Sequence, residues 1–176
     1  MPPLLIRQAI PADAAAIAAI YDYHARTGTA TFDTAGPEVK YWANKIADVT
    51  ARGWPFLVAE IEGEVGGYSY ATQFRDRPAY ARTSEDSIYL APESIGQGIG
   101  RRLLDALLEA SVTAGFEQMI AVVGGGEPAS VGLHRACGFV ERGRMESVGI
   151  KFGRRLDTVY LQRARSSSGR PRMRHS

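Results

Sequence analysis

A single cysteine, Cys137, stands among 176 residues. With no second thiol the chain forms no internal disulfide, and this usage fits a reducing compartment. Cys137 lies in "LHRACGF" beside apolar neighbours, the setting of a buried, inert thiol more than of a nucleophile. Histidines number three: His24, His134 and His175 are scattered and share no paired Cys/His spacing, so no metal is expected. No stretch approaches the ~18 consecutive apolar residues of a membrane helix, and "MPPLLIRQAIPAD" lacks a basic segment followed by a long apolar run. The expected location is the cytoplasm, with no membrane partner. A formal net charge of +2 is too small to imply nucleic-acid binding. Internal repeats and a Pro/Gly-rich linker between halves are also missing, which argues for one sheet-and-helix unit.

What is present is the composition of a soluble globular domain, 45% hydrophobic and 23% charged, in a length that buries a substantial core without metal or disulfide staples. Residues 1–163 are expected to form this single domain. The basic remainder, 164–176, is rich in Ser and Arg with almost nothing apolar, and is expected not to order itself.

Leu4 to Ala9 alternates as a strand, and Pro11 and Asp13 open an Ala-rich helix carrying Ile17, Ile20 and Tyr21 at helical spacing. A second helix is predicted from about Pro37 to Arg52, closed by Gly53. "WPFLVAEIEGEVGGYSYATQF" then reads as two strands joined at Glu62-Gly63. The strand "SEDSIYLAP", the helix "GIGRRLLDALLEASVTAG", the strand "FEQMIAVV", the short helix "EPASVGLHRACG" and two strands within "FVERGRMESVGIKFGRRLDTVYLQ" complete a mixed α/β order.

The densest signal is "LAPESIGQGIGRRLLDALLEA", which sets Gly96, Gly98 and Gly100 immediately before a helix. A strand, a glycine turn and a helix start aim free N–H groups and the positive end of the helix dipole at one point, a setting for phosphate. A Walker A loop needs Lys and then Ser or Thr after its last glycine, whereas Arg101 and Arg102 follow Gly100. A dinucleotide fingerprint needs G-x-G-x-x-G in a first βαβ unit; here G-x-G-x-G follows a hairpin midway along the chain. A tight turn that binds nothing is the remaining alternative.

"SIYLAPESIGQGIGRRLLDALL" resembles the central motif of the GNAT acyl-CoA N-acyltransferase superfamily, and "EPASVGLHRACGFVERGRM" resembles its second signature. "TATFDTAGP", "FRDRPAYARTSEDSIYL" and "VGIKFGRRLDTVYLQ" are similar to the phosphinothricin and methionine sulfoximine N-acetyltransferase subfamily, so that the likeness runs from about Leu4 to Gln162. The resemblance implies a mixed, mostly antiparallel sheet flanked by helices, with a splayed central strand. Acetyl-CoA is the implied co-substrate and a small amino-acid-like amine the implied acceptor. Two positions depart from the usual pattern: Ile95 stands at the Q/R position of the glycine motif, and Glu127 where relatives usually have Asn.

The resemblance also assigns roles. Glu85 is implied as general base, against the plainer reading of a solvated acid at a strand start. His134 stands where many members carry a tyrosine that protonates the departing thiolate; imidazole is chemically able to do so, and a structural histidine is the alternative. Backbone groups of Ile88, Tyr89 and Leu90 are implied to meet the pantetheine arm, as are Gly96, Gln97, Gly98, Ile99, Gly100, Arg101 and Arg102 the pyrophosphate, with Glu127 and Ser130 beside them. A bulge on the central strand would free such groups from its neighbour. Arg75 and Arg77 are candidates to pair with an acceptor carboxylate or phosphinate, with Phe32 and Tyr80 lining the pocket. Lys151, Phe152, Gly153 and Arg154 match a segment near the subfamily's dimer contact, which implies a homodimer. Other amines (a polyamine, an aminoglycoside, a protein N-terminus) and a CoA-binding module without turnover remain the alternatives.

Overall fold

The alternating segment at the N-terminus becomes β1 (Leu4–Gln8) in the computed structural model, which describes residues 3–165. It pairs antiparallel with β2 (Phe56–Ile61), and α1 (Ala14–Thr27) and α2 (Val39–Ala51) fill the chain between them. The first helical stretch differs from expectation at its start: Pro11–Asp13 forms a separate 3-10 turn. The cause is Asp13, whose carboxylate accepts the Ile10 N–H and the Arg7 guanidinium instead of continuing into an ordinary helical turn.

β2 returns through Glu62 and Gly63, both at positive φ, into β3 (Glu64–Gln73), and β3 pairs antiparallel with β4 (Thr83–Leu90). From β4 the chain passes through α3 (Ile99–Thr113) to β5 (Gln118–Gly124), a crossover that makes β4 and β5 the one parallel pair. α4 (Pro128–Ala136) follows, and β6 (Val140–Lys151) turns at Phe152-Gly153 into β7 (Arg154–Ala164). Both turn residues have positive φ, as a two-residue hairpin demands. The seven strands lie in the order β1-β2-β3-β4-β5-β7-β6.

Two cores result. On one face α1 and α2 bury Ile17, Trp42 and Ile46 against Phe56, Val58 and Tyr68. On the other, Leu104 and Leu107 of α3 meet Met119, Ala121, Val159 and Leu161. Each fully buried leucine there contributes about 1.5–3 kcal/mol by leaving water. The sheet end β7-β6 closes the molecule, with β6 as an open edge. Ala164 still belongs to β7, so the sheet extends one residue into the expected tail, and the Arg165 N–H after it donates to the Glu117 carbonyl at 2.7 Å. The rest of that tail, 166–176, lies outside the described residues. Among the described residues no helix is long and apolar enough to cross a membrane.

Candidate active site

β4 and β5 pair only from Thr83 to Glu85 on the β4 side, and beyond Glu85 they part, although both strands continue. The splay needs no bulge on β4, whose register with β3 runs unbroken from Ser84 to Leu90; the irregularity of that half of the sheet lies between Ala59 and Glu60 of β2.

The ladder determines which backbone groups of β4 face the gap. Ala91 N–H donates to Gly66 O and Phe74 N–H to Thr83 O, each at 2.9 Å, so odd-numbered residues direct their N–H and C=O at β3. Even-numbered residues face β5, and past the divergence Ile88 directs its backbone groups, and Leu90 its N–H, into the gap. Tyr89, expected to offer backbone groups with them, has these committed to Tyr68 of β3 and brings only its side chain. His24 of α1 donates from Nε2 to the Leu90 carbonyl at 2.6 Å, a contact across 66 residues of sequence that no local pattern signals.

Side chains alternate likewise. Glu85, Ser87 and Tyr89 point to the α1/α2 face, and Asp86 and Ile88 to the α3/α4 face. A cavity of about 160 Å³ occupies the gap, lined by Glu85 to Tyr89, Ala30, Val122, Ser130 and His134.

On the first face Glu85 is half-buried. Burial pushes its carboxyl above the usual value, and the Asp86 charge adds to this, against the opposing effects of Arg75 and Lys45. Arg75 lies over the Phe74 ring, 4.0 Å from its centroid, with Nη1 3.4 Å from Glu85 Oε1. Tyr80 packs edge-on against the other aromatic of this hairpin, Phe74, at 5.6 Å. The Arg77 side chain is exposed and has no ion-pair partner among the described residues. Phe32 approaches from the α1–α2 loop and packs on Gly124 and Gly149. The same loop carries a network that residue types alone did not suggest: Tyr21 shares a hydrogen bond with Thr31 Oγ1 at 2.8 Å and donates another to Asp33. Lys151, expected near a contact between chains, is buried within its own, donating from Nζ to the Thr31 carbonyl at 2.8 Å.

On the second face His134 is 3% exposed, with Nε2 2.7 Å from Asp86 Oδ2 and Nδ1 2.7 Å from the Ser130 carbonyl. Asp86 was not singled out from sequence; its position one residue past Glu85, and so on the opposite face, was the available signal. Cys137 is buried, and its thiol is pushed up to about 11 by burial and by Asp105, which suits an inert group.

Beyond β4, Gly96 and Gly98 hold φ of 81° and 75°, and a Cβ added at either meets nothing within 4 Å. Successive amides in such a turn form an anion-binding concavity, open here on its outer side. Gly98 caps α3 without any side-chain bond, leaving the first amides of the helix free. Gly100 differs in kind: within the helix, its absent side chain leaves room for Leu133 and Leu90, each 3.4 Å from where a Cβ would sit. Arg101 and Arg102 are exposed alongside, with Arg101 Nε 3.9 Å from Asp105, and Gln97 donates to the Glu93 carbonyl. Ile95 is exposed, and Glu127 precedes Pro128 at the α4 N-terminus without capping it.

A splayed parallel pair beside an amide-lined glycine turn suits an anionic ligand with a slender extension into the gap, and the comparisons identify the family. The Acetyltransferase (GNAT) family matches residues 17–139, and the chain belongs to that family. A phosphinothricin N-acetyltransferase of Alcaligenes faecalis is 51% identical over 152 residues, 86% of this chain and 77% of that one. An L-methionine sulfoximine/L-methionine sulfone acetyltransferase of Pseudomonas paraeruginosa is 39% identical, with 89% and 92% covered. The crystal structure of a phosphinothricin acetyltransferase from Sinorhizobium meliloti in complex with AcCoA superposes with a TM-score of 0.89 at 44% identity, covering 92% of this chain and 88% of that one. The chain is thus an acetyl-CoA-dependent acetyltransferase with the mixed sheet and splayed strand expected from its sequence.

Proposed function

We propose that this acetyltransferase acts on the primary amine of a small amino acid or analogue, with phosphinothricin and methionine sulfoximine as the leading acceptors. The observation that carries this reading is Glu85: a half-buried carboxylate at the mouth of the β4–β5 gap, flanked by Arg75 and an aromatic hairpin. Acetyl-CoA supplies an acetyl group activated as a thioester. The amides of Gly96 to Arg102 suit its pyrophosphate, Arg101 and Arg102 add positive charge, and Glu127 and Ser130 border its path. Ile88 and Leu90 amides suit the arm and the carbonyl oxygen, where preorganised donors stabilise developing negative charge. Glu85 takes the proton of the acceptor ammonium. Arg75 and Arg77 favour an acceptor that carries an anionic group, which a polyamine or aminoglycoside lacks. Phe32 and Tyr80 form apolar walls.

The expected place of action is the cytoplasm, in keeping with the unpaired Cys137 thiol, and the expected assembly is a homodimer through β6.

The test is thiol release from acetyl-CoA over a panel of phosphinothricin, methionine sulfoximine, ordinary amino acids, spermidine and an aminoglycoside. Turnover should favour the first two, and Glu85→Gln should lower kcat by roughly 10²–10⁴-fold with little change in acetyl-CoA affinity. Because the folded environment raises Glu85, its basic form is lost at higher pH than an ordinary glutamate's; activity should fall on the acid side above about pH 4.3. Arg75→Gln, which removes an opposing effect, should move that limb further up. Equal turnover by Glu85→Gln would remove Glu85 from the chemistry.

A further inference from the structure

The connection between α1 and α2 runs past the β4–β5 gap to the end of β6, and its residues 28–36 are held from both sides. On the near side α1 supplies Tyr21, bonded to Thr31 Oγ1 and to Asp33, and Asp22, whose carboxylate accepts the Gly36 N–H at 2.8 Å. In the middle Ala30 lines the gap cavity. Absent side chains make room for this passage: a Cβ at Gly124 would lie 3.0 Å from the Ala30 carbonyl oxygen, and one at Gly125 2.9 Å from that of Thr29. On the far side stands β6, where alternation turns Gly149 and Lys151 inward and leaves Ile150 on the outside. Gly149 receives the Phe32 ring, and Lys151 Nζ donates to the carbonyl of the preceding residue, Thr31.

Lysine is energetically unfavourable at such a place. Lys151 is 2% exposed, its ammonium carries three donors, and the Thr31 carbonyl is its single hydrogen-bond partner among the described residues. Burial drives the group towards its neutral form; the Asp33 charge opposes this, and the Phe152 ring, 5.1 Å away, adds a weak attraction. Thr31 and Asp33 both belong to the connection, so the polar groups that hold Lys151 are the ones it holds in return. An apolar side chain of like volume would fill the space without the cost of burying a charge. What lysine adds is a directed bond to Thr31.

We infer that Lys151 is a positioning residue for the acceptor: by fixing Thr31 it keeps Phe32 seated on Gly149 and so sets the acceptor wall beside the gap. This deepens the acetyl-transfer reading and rests on it. Lys151 does not line the cavity and acts through the neighbour of the residue it bonds. The glycine turn and the start of α3 lie outside this chain of contacts, so acetyl-CoA binding is expected to be insensitive to it.

Two measurements test this: hydrogen exchange by mass spectrometry on the protein without ligand, and steady-state kinetics of thiol release with each substrate varied. In wild type, peptides covering 28–36 should exchange slowly; in Lys151→Met they should exchange about tenfold faster or more, with α3 peptides unchanged. KM for the better of phosphinothricin and methionine sulfoximine should rise about tenfold, kcat should fall far less, and KM for acetyl-CoA should move by no more than about twofold. In a Phe32→Ala background Lys151→Met should add little to acceptor KM, because both changes act on one contact. Rapid exchange of 28–36 in wild type overturns the inference even if Lys151→Met fails to fold. So does an unchanged exchange rate in a folded Lys151→Met, and so does a rise in acceptor KM that is as large without Phe32 as with it. No turnover of any small amino-acid acceptor by wild type overturns the acceptor reading and the kinetic half of the inference together, and the exchange rates tell this apart from a Lys151 that holds nothing in place.

Discussion

Phe32 owes its seat to two missing side chains. A Cβ at Gly149 would lie 2.5 Å from Phe32 Cε2 and 2.8 Å from Cζ, and one at Gly124 would lie 3.2 Å from Cε1. Gly149 has no positive φ, so the requirement there is close approach and not backbone conformation, one of the two meanings a glycine in a strand carries. Gly149→Ala is therefore expected to fold, displace the ring and raise KM for the acceptor several-fold, while KM for acetyl-CoA stays unchanged. Steady-state kinetics with each substrate varied in turn checks this, and an equal rise in both would mean that Phe32 is not part of the acceptor pocket. The residue scale is also where sequence was least informative about the site. Glu85 is an ordinary strand carboxylate by type, and it took the surrounding motif to single it out. His24 on Leu90, Asp86 on His134 and Lys151 on Thr31 join positions 48 to 120 residues apart, and such contacts follow from the path of the chain, which no short window contains.

Elements were more legible, because alternation, helical spacing and turn glycines are local. The strands and helices fall where those patterns predict, and the parallel β4–α3–β5 crossover follows from their order. The missed 3-10 turn at Pro11–Asp13 has a tertiary cause. Arg7 of β1 grips Asp13 with Nη1 at 2.8 Å and Nη2 at 2.9 Å while its Nε holds Glu60 of β2 at 2.7 Å. This pairing ties the edge strand to the start of α1. The Arg7 bonds hold the Asp13 carboxyl below its ordinary value, against burial and with help from the Ile10 amide. A carboxylate lowered by folding adds stability that is fully present above its unfolded value of ~3.9, and lost as pH falls through the folded value. Asp13→Asn should accordingly cost about 1–3 kcal/mol at neutral pH. In thermal or urea unfolding followed from pH 7 downwards, the gap between wild type and variant should hold to about pH 4 and then close. A gap independent of pH would assign the loss to packing instead of charge.

At the scale of the whole molecule the coverage of the sheet is lopsided. α1 and α2 pack over β2 to β4 on one face and α3 and α4 over the other, but β6 remains at an open edge, with Met145, Val148, Ile150 and Phe152 between 44% and 68% exposed. Single exposed apolar residues are ordinary, whereas several along one edge strand and its turn make a surface suited to a partner. The proposed partner is a second copy, with the two-fold axis placing the same strand on both sides. Ile150 is the most exposed of the set and its side chain supports little within its own chain, so Ile150→Lys should leave the monomer's fold intact. Sedimentation equilibrium should then find wild type at twice 19.1 kDa and the variant at the single-chain mass. If acceptor turnover drops with the dimer while acetyl-CoA affinity is kept, the neighbouring chain helps complete the acceptor pocket; if the dimer survives the charge, the contact lies on another face and β6 is left without a partner.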